Sequence, residues 1–149
     1  MKRLNTEYFK NLVFGIEDSL VSTVGVLFGL ASSSDTSQKQ ILLSGFIIIS
    51  VEALSMGAGA FLTETSAHEL DGRKLHGDSP VIDGIVMFLS YFIAGFIPIS
   101  AYLIFGDVGV AKYVSLILTL ISLFILGYAP TKKLKAAIRM MVVASMAAS

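Results

Sequence analysis

Two stretches of this chain that are apolar enough to cross a bilayer carry acids. Residues 11–31, NLVFGIEDSLVSTVGVLFGLA, hold Glu17 and Asp18 near their start. Residues 41–62 hold Glu52, and Met56 follows four positions later. A charged side chain in a bilayer costs about 3 kcal/mol or more, so acids there face a cavity, a partner or an ion path. Carboxylates alone suit hard cations such as Mg²⁺ or Ca²⁺; a thioether beside them shifts preference toward softer first-row metals such as Fe²⁺. Burial favours the neutral form of a carboxylic acid, so such a group can hold a proton when no metal is bound. Alternation of metal and proton at one acid is a physical basis for exchange.

Helical spacing puts Gly15, Asp18, Ser22, Gly25 and Gly29 on one face of the first stretch. That face is small and polar, able to bring helices close or to line a narrow path. Glu17 lies about 100° round from Asp18, which assigns it a different job. The second stretch has a similar stripe of Gly45, Glu52, Met56, Gly59 and Thr63, with Glu52 and Met56 one turn apart. With the first helix running outward and the second back, Asp18 and Met56 each sit about six residues, or roughly 9 Å, from the cytoplasmic ends of their helices, and Glu52 about 6 Å deeper. Carboxylate, thioether and carboxylate can thus stack along one path. The competing reading makes Asp18 and Glu52 buried polar residues bonded to a neighbouring helix. Glu17 can equally snorkel to the surface or meet another subunit. Met56 alone would be ordinary packing.

The elements that must position these residues are helices. The chain has 149 residues, 54% hydrophobic and 15% charged, with a mean hydropathy of +0.78. Soluble domains carry about 25% charged residues, so this is an integral membrane protein of one bundle. Net charge is zero, which implies no polyanionic partner. The absence of cysteine excludes disulfides and thiolate metal sites. Spanning segments are expected over 12–31, 41–62, 80–105 and 111–129, each near the roughly 20 residues a crossing needs. A fifth, 135–149, falls short of a full span, pointing to truncation or to a re-entrant or interfacial piece. Ser79-Pro80 predicts an N-cap and first helical position. Pro98 lies inside the third helix, and Pro130 is expected to end the fourth.

Loop charges set the expected orientation. Nine basic residues (Lys2, Arg3, Lys10, Arg73, Lys74, Lys132, Lys133, Lys135, Arg139) fall on one side against Lys39 and Lys112 on the other. The positive-inside rule makes the N-terminus cytoplasmic. No small-residue cleavage site follows the first stretch, so it reads as a retained helix. The basic turn TKKLK would anchor to anionic lipid and is too short for a nucleic-acid patch.

Between the second and third stretches lies a short acidic cytoplasmic loop, residues 63–79, TETSAHELDGRKLHGDS. If the second helix continues past the membrane, Glu64, His68 and Asp71 share a face, with Glu69, His76 and Asp78 close by. Such a group can hold a divalent metal as a loading site; the alternative is a solvated helix end, favoured by Arg73 and Lys74.

VFGIEDSLVSTVGVLFGLA resembles the first-helix signature of the vacuolar iron transporter family, and ALSMGAGAFL (53–62) resembles its second, built around Ser-Met-x-x-Gly. The prolines of the third segment and the basic turn before the last also fit, so the resemblance covers essentially the whole chain. It implies an all-α membrane bundle of five transmembrane helices per subunit, the fifth truncated here, paired as a homodimer. It implies Fe²⁺ export from the cytosol by proton antiport, with Mn²⁺ as a second substrate. The family's transport residues carry over to Asp18 and Met56. Glu52 stands where the family is expected to have a small residue, so its role rests on the residue reading above. Members with a large metal-binding insertion carry an acidic three-helix unit between helices 2 and 3; this chain has only 63–79 there.

The expectation is therefore a metal transporter without a permanently bound cofactor. Its partners would be membrane lipid, a second subunit, protons and the metal, but no nucleic acid. It would lie in the plasma membrane of a prokaryote, or a vacuolar or other organelle membrane of a eukaryote. The alternatives are a non-transporting scaffold or sensor whose acids only hydrogen-bond between helices, and a proton-coupled carrier of a small organic cation. The tight glycine faces speak against the latter. No nucleophile–base pair is visible, so an enzyme is not expected.

Overall fold

The computed structural model describes residues 2–71 and 79–131, and within them the chain forms four α-helices and no strand. They are α1 (Lys2–Ala31), α2 (Gln38–Asp71), α3 (Pro80–Ile104) and α4 (Val108–Thr131). Each contains a stretch long and apolar enough to cross a membrane: Tyr8–Ala31, Gln38–Leu70, Pro80–Ile104 and Val108–Tyr128. The fifth helix expected over 135–149 lies outside the described residues.

The helices overrun their hydropathy-based limits. α1 starts at Lys2 rather than at 12, and α2 ends at Asp71 rather than at 62. Residues 63–71, expected as the start of a loop, are therefore helical. Hydropathy marks the part of a helix matched to lipid, whereas propagation costs little once a helix is nucleated. TETSAHELD contains neither Gly nor Pro to stop it.

Local signals explain the other ends. α2 opens on a capping box: Ser37 N–H donates to Gln40 Oε1 at 2.8 Å, and Gln40 N–H donates to Ser37 Oγ at 3.3 Å. This fixes the start at Gln38, three residues before the first expected apolar position. Asp107 Oδ1 accepts the Val110 N–H at 2.8 Å and starts α4 at Val108, three residues before the expected 111. Ser79 stands at the N-cap of α3 with extended backbone (φ −100°, ψ 112°), but its side chain makes no capping bond. Its carbonyl instead accepts the N–H groups of Ile82 and Asp83. α4 runs to Thr131, one residue past Pro130; helix limits of this kind vary by one or two residues.

Contacts give the directions. Asn11 meets Asp83, Ser19 meets Tyr91 and Leu27 meets Tyr102, so α1 and α3 run parallel. Ser22 meets Glu52 and Leu27 lies by Gly45, while Ser32 meets Lys112 and Leu20 clusters with Leu123, so α2 and α4 run against them. α3 touches all three other helices, and its Tyr91, Ile99 and Tyr102 are fully buried. One apolar cluster joins Leu27, Ile41, Ile49, Ile99 and Tyr102; a second joins Leu20, Ala94 and Leu123. At the far end of α1, the Lys112 ammonium donates to Ser32 Oγ at 2.7 Å and lies 4.2 Å from the Phe28 ring centre. A cation there complements the negative end of the α1 dipole.

One polar contact ties the middle of the N-terminal half of α1 to the first turn of α3. Asp83, 3% exposed, accepts from Asn11 Nδ2 at 2.6 Å. Asp83 lies in the first turn of α3, where an acid also suits the positive end of the helix dipole. Asn11→Ala removes a donor to a buried carboxylate, an effect of about 1–3 kcal/mol. A lower unfolding midpoint in detergent is the expected result; an unchanged midpoint would show the contact to be dispensable.

Candidate ion path

The acid on α2 is held from two sides. Glu52 is half-buried, and its Oε2 accepts from the phenol of Tyr91 on α3. Ser22 on α1 donates to the same oxygen at 3.1 Å and lies 2.5 Å from the Tyr91 hydroxyl. Ser19, one turn before Ser22, donates to the Tyr91 carbonyl at 2.6 Å. Glu52, Ser22 and Tyr91 thus join three helices through three oxygen atoms. The sequence pointed to Glu52 and Ser22 but missed Tyr91 and Ser19. The available signal was a tyrosine in the middle of an apolar span, whose hydroxyl must find a partner when buried.

The Ser22–Glu52 contact also fixes the register of α1 against α2. Because the helices are antiparallel, one turn back along α1 reaches the level of one turn on along α2. Asp18 and Met56 therefore lie at one level, about 6 Å along the axis from Ser22 and Glu52. Both are half-buried, as is Glu17.

The small face of α1 divides. Gly15 is buried against α3, where an added Cβ would collide with the Ser90 hydroxyl and lie 3.2 Å from the Met87 carbonyl. Its role is close packing of α1 on α3. A Cβ on Gly25 or Gly29 would meet nothing within 4 Å, and the same holds for Gly59 on α2. Among the described residues, then, nothing packs against α1 at Gly25 and Gly29.

Charge sharpens the picture. No Lys, Arg or His occurs between Lys10 and Lys39, between Gln40 and Ala67, within α3, or in α4 after Lys112. The helices thus supply no cation deep in the spans to balance an ionised Asp18 or Glu52. Acids placed in an apolar span without a basic partner mark a route for a cation or a proton. A cleft of about 400 Å³ between α1 and α3 does not serve this purpose. It is lined by apolar side chains such as Leu12, Ile16, Leu89 and Ile93, with Ser90. The Ser90 hydroxyl is turned to the Met87 carbonyl at 3.0 Å.

The loading group expected after the second span is only partly assembled. Glu64 and His68 meet, with Nε2 3.2 Å from Oε1, though not in hydrogen-bond geometry. Glu69 is exposed. The Asp71 side chain, His76 and Asp78 lie outside the described residues. Among the described residues no group of three acids or histidines is placed to hold a metal. Helical geometry explains the pair: Glu64 and His68 are one turn apart, whereas Glu69 is turned about 100° from His68.

Comparison with curated proteins returned no match. The family model described as the VIT family matches residues 9–76 and 67–149, nearly the whole chain. Four apolar helices of spanning length, with acids held between them, make this an integral membrane protein. The chain belongs to the VIT family, the vacuolar iron transporters, a family of membrane metal transporters and not of enzymes.

Proposed function

We propose that the protein works as a homodimer that exports Fe²⁺ from the cytosol in exchange for protons, with Mn²⁺ as a second substrate. Asp18 and Met56 are the path ligands, and Glu52 is a second acid for metal or proton. The supporting observation is the alignment of Asp18, Glu52 and Met56 along α1 and α2, in the stretches between Lys10 and Lys39 and between Lys39 and His68 that hold no basic residue. A carboxylate–thioether pair favours a softer first-row metal over Mg²⁺ or Ca²⁺. The uncovered Gly25 and Gly29 face of α1 is where a second subunit would complete the path. The excess of basic residues near the N-terminus and after α2 and α4 supports a cytoplasmic N-terminus. Glu64 and His68 would then stand at the cytoplasmic mouth, about 12 Å or more along α2 from Met56.

The test is flux into proteoliposomes under a pH gradient. Fe²⁺ should accumulate, Mn²⁺ should follow, and Mg²⁺ should not. Collapsing the gradient with a protonophore should stop uptake. Uptake indifferent to the gradient would remove antiport, and no uptake of either transition metal would remove metal transport.

A second reading is a scaffold in which the acids only join helices, favoured by the Ser22–Glu52–Tyr91 contacts. Asp18→Asn separates the two. It preserves size and hydrogen bonding but cannot ionise, so a scaffold keeps its assembly and function whereas a proton-coupled path stops.

A further inference from the structure

We infer that Tyr91 is a positioning residue for Glu52, fixing which carboxylate oxygen is open to cargo. The inference rests on the transport reading above for what the open oxygen receives, but not for the contact itself. Tyr91 is fully buried and bonded at both ends. Its backbone carbonyl accepts from Ser19, and its hydroxyl donates to Glu52 and meets Ser22. A side chain anchored in this way has little freedom to follow a moving partner. It therefore acts as a fixed post between α1 and α2.

The close approach that permits this comes from Gly95, one turn further along α3. A Cβ on Gly95 would lie 2.6 Å from Ile49 and 3.0 Å from the Ser19 hydroxyl. Ile49 precedes Glu52 by three residues on α2. Without a side chain at 95, α3 sits against both helices at the level where the phenol must reach the acid.

Both contacts to Glu52 fall on Oε2. Among the described residues no hydrogen bond reaches Oε1. A charge-assisted bond to a carboxylate is short and directional, so Tyr91 holds one oxygen and leaves the other for a cation. Ser22 reinforces the choice from α1, one turn from Asp18. Tyr91 touches no cargo; it acts through Glu52.

The test uses the full chain, with two readouts. Infrared bands of the Glu52 carboxyl group are identified by their loss in Glu52→Gln. In Tyr91→Phe these bands should shift, because the phenol donor is gone. In the flux assay, Tyr91→Phe should raise the KM for Fe²⁺ about tenfold with the maximal rate largely kept, the scale of one charge-assisted hydrogen bond. In a Glu52→Gln background the same substitution should add less than about twofold, since partners in one network are not additive. Ser22→Ala, which removes the second contact to the same oxygen, should shift the same bands and serves if Tyr91→Phe does not fold. Unshifted Glu52 bands in the variants that fold would overturn the inference. So would equal losses in both backgrounds, the mark of a purely structural tyrosine. If the wild type moves no metal, the transport reading fails, while the infrared result still decides the role of Tyr91.

Discussion

Asp18→Ala should abolish gradient-driven Fe²⁺ flux, by on the order of a hundredfold or more. Groups that merely orient a metal ligand already cost 10- to 100-fold when removed, and a direct ligand costs at least as much. Asp18 is half-buried, level with Met56 and without a basic residue nearby in its span. Stability should move the other way. Replacing an acid in the bilayer with a methyl group removes a desolvation cost, so the unfolding midpoint should hold or rise. Lost flux with an intact midpoint would assign Asp18 to ion movement. Unchanged flux would remove it from the path. Asp18→Asn should resemble Asp18→Ala in flux, because charge and not shape is what a metal ion or an exchanged proton requires.

The second large effect concerns folding. Gly84→Val should destabilise the helix bundle by about 3 kcal/mol or more, at the upper end of overpacking substitutions. α2 and α3 cross at Gly57 and Gly84 with backbone against backbone. A Cβ on Gly84 would lie 2.8 Å from the Gly57 carbonyl oxygen; one on Gly57 would lie 2.9 Å from Phe88 Cβ and 3.0 Å from the Gly84 carbonyl. The obstacles to a larger residue at 84 include main chain, which no rotamer change relieves. Lipid offers no hydrophobic drive to press separated helices together, so lost contact at a crossing is not recovered elsewhere. Denaturant titration in detergent measures the effect. Gly25→Ala is the matched control: a Cβ there meets nothing within 4 Å, so the subunit should barely change. Equal stability of Gly84→Val and Gly25→Ala would contradict the crossing.

The legible and illegible parts of this protein divide along the range of the forces involved. Membrane class and four spans were readable, because transfer of apolar residues into lipid sums over a local window and needs no neighbour. The shared phase of Glu52 and Met56 was readable for the same reason: one turn of helix sets it. So was the Glu64–His68 pair, once α2 continues. The capping box of Ser37 and Gln40 was written in the sequence but lay outside the apolar run, and a hydropathy limit passed over it.

What only the tertiary structure decided is who faces whom. Asn11 with Asp83 and Ser19 with Tyr91 are pairs 72 residues apart. No local pattern encodes them, since they depend on the register and rotation of whole helices. The small residues show this most plainly. Gly15, Gly25 and Gly29 share one stripe of α1, yet α3 packs on the first and, among the described residues, nothing lies within 4 Å of a Cβ at the others. Periodicity told that they lie on one face; the packing of α3 against α1 determined which part of that face is contact and which part is open.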